Sequence, residues 1–180
     1  MAKNEMPRVL MDSSALIAYI ADEPGADRLG DLMDMIRGGS AQLVVSVLVL
    51  AEVYKRSDAK DASERHRYNE KLDDILMRLE SRSVVLLDVT PPVAKKATDF
   101  RLSHKMKVPD AVHLATALLN RCDWLVSFDR DFPDIAGLRT FRMDRFDAKS
   151  RLPWNLGTQT SATSVIDESG KLLELTNPSI

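Results

Sequence analysis

Cysteine is nearly missing: Cys122 is the only one in 180 residues, so no internal disulfide can form. No apolar run is long enough to cross a bilayer. Met1 to Arg8 holds no apolar stretch before Val9, so no signal peptide is predicted and a soluble cytoplasmic protein, away from membranes, is the expectation. Basic residues have no surplus either. A formal charge of −2 argues against the broad basic surface that dominates non-specific DNA binding, although a local basic rim around an acidic centre would still accept nucleic acid. There is no G-x-x-x-x-G-K-S/T phosphate loop, no G-x-G-x-x-G turn and no Cys/His set at zinc spacing. Internal repeats and low-complexity tracts are absent as well.

What is present fits one domain with an appendage, and a hydrophobic fraction of 44% can fill a core. Short apolar runs at Arg8–Met11, Leu43–Ser46, Val84–Leu87 and Trp124–Ser127 predict buried strands, with a short fifth from Leu138 to Met143. Between them lie helical patterns: Ala15–Ile20 behind the capping residues Asp12, Ser13 and Ser14, then Ala26–Arg37 between Pro24-Gly25 and Gly38-Gly39. A helix carrying Glu52 follows the second strand. The charged stretch from Ser57 to Arg82 reads as a solvated helix with Tyr68, Leu72, Ile75, Leu76 and Leu79 on one face. Helices over Val93–Lys105 and Pro109–Arg121 follow. Strands that are apolar throughout, alternating with helices, predict an α/β fold: a three-layer α/β/α domain around a parallel sheet of four to five strands. Composition shifts after Phe146, which sets a domain at 1–146 and an extension at 147–180. The extension reads as a loop and a small hairpin turning at Ser169-Gly170.

Four carboxylates stand where such a fold has strand ends and helix starts: Asp12, Glu52, Asp110 and Asp129. Three of them have apolar neighbours in sequence, where an unpaired carboxylate is costly. Ligands of an open parallel sheet bind beyond the carboxyl ends of its strands, so all four can face one crevice. Gathered there, they call for a cation and supply the hard oxygen ligands that magnesium or manganese takes. Such a site suits phosphoryl chemistry. Asp12-Ser13-Ser14 lacks the aspartate two residues on that an aspartyl-phosphate phosphatase needs, and Glu52 lies too deep in its helix for a receiver-like pocket.

The blocks Leu10-Met11-Asp12-Ser13-Ser14-Ala15-Leu16-Ile17, Val45-Ser46 to Leu50-Ala51-Glu52-Val53, Val108-Pro109-Asp110-Ala111-Val112-His113-Leu114-Ala115-Thr116-Ala117 and Ser127-Phe128-Asp129-Arg130-Asp131-Phe132 span residues 8 to about 143. In this order and spacing the chain resembles the PIN-domain family, and most of all its VapC-type toxin ribonucleases. The resemblance implies a magnesium- or manganese-dependent endoribonuclease whose metal-binding acids are Asp12, Glu52, Asp110 and Asp129, with Asp131 supplementary. It implies supporting positions at Ser13, Ser14 and Ser127. It further implies an RNA substrate, a homodimer, and a small antitoxin whose tail enters the acidic site. The extension 147–180 exceeds what a compact member of the family needs.

Several positions keep a plainer reading. Asp12 and Asp110 suit helix starts, and a capping acid can still ligate. Asp129 and Asp131 flank Arg130, so one of the two can be a turn residue. His113, one turn after Asp110, either orients a carboxylate and shuttles a proton or is a satisfied packing residue. Arg101, His104, Lys105 and Lys107 form a basic cluster that either holds RNA phosphates or is a solvated face. Cys122 reads as an inert core residue. At the level of the whole protein, the alternatives are an RNA-processing or structure-specific nuclease outside toxin–antitoxin systems, and a PIN-like module that binds nucleic acid without cutting it.

Overall fold

A computed structural model of the protein describes residues 6–56, 61–78, 81–145, 152–154, 165–166 and 172–173. Its chain divides into two compact units, 1–150 and 151–180. The first is built on five strands: β1 (Arg8–Met11), β2 (Gln42–Ser46), β3 (Val84–Leu87), β4 (Trp124–Ser127) and β5 (Arg139–Arg142). They lie in the order β3-β2-β1-β4-β5, and every neighbouring pair is parallel. The helices are α1 (Ser13–Ile20), α2 (Gly30–Arg37), α3 (Val47–Arg56), α4 (Ala62–Met77), α5 (Pro91–His104) and α6 (Val108–Leu119). The α/β expectation is met, with five strands.

Strand periodicity explains why both faces are covered. Leu10 pairs in register with Val44 on one side and Leu125 on the other, and this row faces α5 and α6 in a core that includes Val93, Phe100, Leu114 and Phe132. The alternate residues Val9, Met11, Leu43, Val45 and Val126 are also fully buried, on the opposite face. There α1 packs against α3 and α4. Two cations bind these helices through one ring: Lys71 of α4 and Arg37 of α2 lie 5.2 and 5.8 Å from the centroid of Tyr19 on α1.

One helix is shorter than its sequence pattern predicts. Ala26–Leu29 is a 3-10 turn, and the α-helix begins only at Gly30. The tight turn before it is the cause. Gly25 sits at φ 90°, and a β-carbon there would meet the guanidinium of Arg28 at 2.7 Å and the ring of Phe128 at 3.2 Å. Leu79, the 57–60 segment and the turn at Ser169-Gly170 lie outside the described residues. In the second unit, β6 (Val165–Ile166) pairs antiparallel with β7 (Leu172–Leu173).

The β4–β5 connection carries no helix, so side chains hold it. Arg142, 7% exposed on β5, donates from Nε to the Phe132 carbonyl at 2.7 Å and from its terminal nitrogen to that carbonyl and to Asp134 Oδ1. Hydrogen bonds from a buried guanidinium are among the stronger neutralising contacts in a fold. Replacing Arg142 with methionine keeps the apolar stem and strands the carbonyl. The expected cost is about 2–4 kcal/mol in a urea titration, with faster amide exchange across 128–138.

Candidate active site

Strand order reverses between β1 and β4, and this is where an open parallel sheet has its crevice. Asp12 leaves β1 there, its backbone N–H still donating to Val126 of β4. The residue has extended dihedrals and caps α1, with Oδ1 accepting from the Ala15 N–H at 2.9 Å. Ser14 donates to the same carboxylate at 2.8 Å, and Ser127, at the end of β4, donates to Oδ2 at 2.7 Å. Each serine also accepts a backbone N–H from the following turn, Phe128 onto Ser14 and Asp129 onto Ser127. The carboxylate of one strand and the acidic turn of the other are thus fixed to each other. Ser13 opens α1 without joining this network among the described residues.

The remaining acids surround this point less deeply than expected. Asp12 alone is buried, at 2% exposure; Glu52, Asp110 and Asp129 are half-buried. In α3 the helical period turns Val49 and Val53 fully inward and leaves Glu52 on the flank, which corrects the expectation of an apolar setting for it. Asp110 stands in the first turn of α6. Its carboxyl is held above the usual range by burial first, then by the charge of Asp129, while Lys107 pulls it down and Glu52 and Asp131 push it up. The Asp131 N–H donates to Asp129 Oδ1 at 2.9 Å, so Asp129 also serves as the turn-former; Asp131 is exposed.

Burial pushes the Asp12 carboxyl up to about 6, against the pull of the Ala15 N–H and the two serines. Among the described residues, none of Asp12, Glu52, Asp110 and Asp129 makes an ion pair with lysine or arginine, whereas acids elsewhere such as Asp22, Asp34, Asp74 and Asp144 do. As they lie, no three described His, Cys, Asp or Glu side chains converge closely enough to hold an ion between them. The donor set nonetheless fits a hard divalent cation in kind, being all carboxylate oxygen with no direct ion pair to lysine or arginine among the described residues.

His113 is 1% exposed, and neither ring nitrogen has a hydrogen-bond partner. Burial lowers its pKa to about 4, with the charge of Glu52 acting the other way. It is therefore buried as a packing residue would be, yet it is not satisfied. Of the basic cluster, His104, Lys105 and Lys107 line a cleft of about 300 Å³ together with Met106, Asp110 and Asp131; Arg101 is exposed and not among the lining residues. Residue spacing cannot reveal that cleft, because it depends on the turn between α5 and α6, where Lys105 takes φ 56°. Cys122 is buried, and burial pushes its thiol up to about 12, which makes it inert.

The PIN domain family matches the chain over residues 9–138, some seven-tenths of its length. The chain belongs to the PIN domain family. PIN domains are nucleases that generally use divalent metal ions, and a nucleic-acid hydrolase is the general activity that membership carries. No curated protein matches in sequence. Among solved structures, the PIN fold of this chain is similar to a toxin–antitoxin complex from Klebsiella pneumoniae (TM-score 0.52, 22% identity, 72% of this chain and 94% of that one). It is similar also to FitAcB from Neisseria gonorrhoeae (0.57, 17%, 77% and 99%) and to VapBC2 from Rickettsia felis bound to a promoter DNA fragment (0.54, 19%, 74% and 96%). At these identities the likeness is one of fold. No helix of the described residues is long and apolar enough to cross a membrane.

The titration of Asp12 makes a test. Its carboxyl holds a proton more tightly folded than unfolded, so it favours the folded state at acid pH and loses that contribution as pH rises from 3.8 through about 6. His113 acts oppositely in an overlapping window, since its unfolded form protonates below 6.5 while the folded form stays neutral to about 4. Comparing Asp12→Asn with the parent isolates the first effect. With divalent ions chelated, the variant should be the more stable at pH 7.5, by up to about 3 kcal/mol in urea denaturation. That advantage should vanish as pH falls through 6 towards 4.

Proposed function

We propose that this chain is a magnesium- or manganese-dependent endoribonuclease and the toxin of a toxin–antitoxin pair. The observation that carries the reading is the buried Asp12 carboxylate, oriented by Ser14 and Ser127 at the sheet's switch point and left without a protein cation. Asp12, Glu52, Asp110 and Asp129 would hold the ion, with Asp131 as the supplementary acid. When bound, such an ion neutralises developing charge on a phosphodiester and makes water a better nucleophile near neutral pH. The protein's own part is positional. Three neutral donors fix Asp12 in place, while the Asp129 turn is tied to the same serines, so the two acids keep their relation as substrate arrives. Asp110, destabilised as an anion by burial and by Asp129, would be relieved by an added cation.

The fold likeness to several toxin–antitoxin complexes supports an antitoxin partner, and the family resemblance extends this to a homodimer and to RNA as substrate. The basic cleft beside an acidic centre suits a polyanion whose scissile phosphate must approach carboxylates.

Two measurements test the reading. Asp12→Asn and Asp110→Asn should each lower magnesium-dependent cleavage of an RNA panel on the order of 10²–10³-fold while the circular dichroism stays native. Cleavage at the parental rate by either variant ends the metal-site assignment. Independently of activity, magnesium or manganese should raise the melting temperature of the parent and leave that of Asp12→Asn unchanged. Co-purification of a small protein encoded beside this chain, with loss of cleavage in the complex, is the expected sign of an antitoxin.

A further inference from the structure

The α5–α6 turn places charges of both signs along one cleft. From Arg101 to Pro109 there is no acidic residue, and then Asp110 follows. Lys105 ends α5 in the left-handed region at φ 56°, a place that glycine fills most cheaply, and Lys107 caps α6. The reversal leaves Met106 buried in the core and sends the residues on either side of it outward. His104, Lys105 and Lys107 consequently form one lip of the 300 Å³ cleft, with Asp110 and Asp131 also lining it. Among the described residues Lys105 and Lys107 make no ion pair. Lys107 is near enough to Asp110 to lower its pKa.

The geometry points to this lip as a phosphate-binding subsite for single-stranded RNA, the place where a backbone phosphate next to the scissile one is held. The inference rests on the nuclease reading above and adds the residues that hold the strand. An acidic centre repels a phosphodiester at distances of several ångströms, and ammonium groups beside it reverse that repulsion locally. Two lysines acting as point charges on flexible stems suit phosphate oxygens without reading bases. Lys105 carries its charge at φ 56°, a conformation that glycine would adopt at lower cost.

Fluorescence anisotropy with a labelled mixed-sequence single-stranded RNA tests this, using the full-length Asp12→Asn chain so that binding is read without cutting. Adding Lys105→Gln and Lys107→Gln should weaken binding about tenfold at 100 mM salt. It should also flatten the slope of log affinity against log salt by about 1.4, the loss of two phosphate contacts to a single strand. Lys95→Gln, on exposed α5 surface away from the cleft, should leave both unchanged. Lys105→Gly keeps the proposal falsifiable apart from folding: it should raise the melting temperature while weakening binding, and Lys105→Arg should restore binding. In the wild-type background, the double variant should raise KM for RNA by a larger factor than it changes kcat. An unchanged slope and KM in that variant, with the parent cutting RNA, overturns the subsite and leaves the nuclease reading intact. Tighter binding of single-stranded DNA than of RNA overturns RNA as the ligand. A parent that neither binds nor cuts RNA with magnesium present overturns both.

Discussion

A single carboxylate taken out of water organises this domain. Burying Asp12 is unfavourable, and the fold limits that cost with three hydrogen bonds drawn from two separate strands' ends. The arrangement demands that β1 and β4 lie side by side, that a serine close β4, and that α1 begin at once after β1. The neighbouring features follow from that demand. Ser14 and Ser127 each turn a second contact onto the segment after β4, so the Asp129 turn is placed by the same atoms that hold Asp12. Gly25 then has to approach the Phe128 ring closely, and the α2 helix starts late.

Beyond this junction the acids are held by weaker means. Glu52 comes from the second turn of α3 and Asp110 from the first turn of α6, both half-exposed, and Asp110 senses Asp129 and Glu52 through charge. Lys107 offsets part of the repulsion at Asp110. The acidic centre and its basic lip are therefore neighbours along the chain as well as in space, Lys105 to Asp110 being one short turn and the start of one helix. Arg142 does for the acidic turn what a crossover helix does elsewhere in such sheets: it gives a long connection a fixed partner.

Much of this could be read from residue order. Apolar runs without alternation announced a parallel sheet covered on both sides, and Asp12 followed by two serines announced a capped helix. The four acids stood out because each followed such a run or opened a helical pattern. What could not be read was depth. Glu52 looked buried because valine, leucine and alanine surround it, but the helical period directs Val49 and Val53 inward and turns Glu52 aside. Continuous helix over 26–37 looked natural by spacing, yet Ala26–Leu29 follows the positive-φ turn at Gly25 as a 3-10 turn and the α-helix starts at Gly30. For His113, residue order leaves both a packing role and a role beside the carboxylates open; that both its nitrogens lack a partner depends on neighbours distant in sequence. The cleft beside Lys105 likewise needs the αL turn, which side-chain type does not announce at a lysine.

The bond from Ser127 to Asp12 spans 115 positions. During synthesis the ribosome releases Asp12 long before Ser127 exists, and longer still before Arg142 can brace the loop that follows. A partly made chain thus carries Asp12, Glu52 and Asp110 but has neither the donor that orients the first nor the turn that supplies the fourth. Contacts this remote in sequence form late in folding. The crevice consequently cannot take its folded form until the chain has been made through β4 and the turn that follows it.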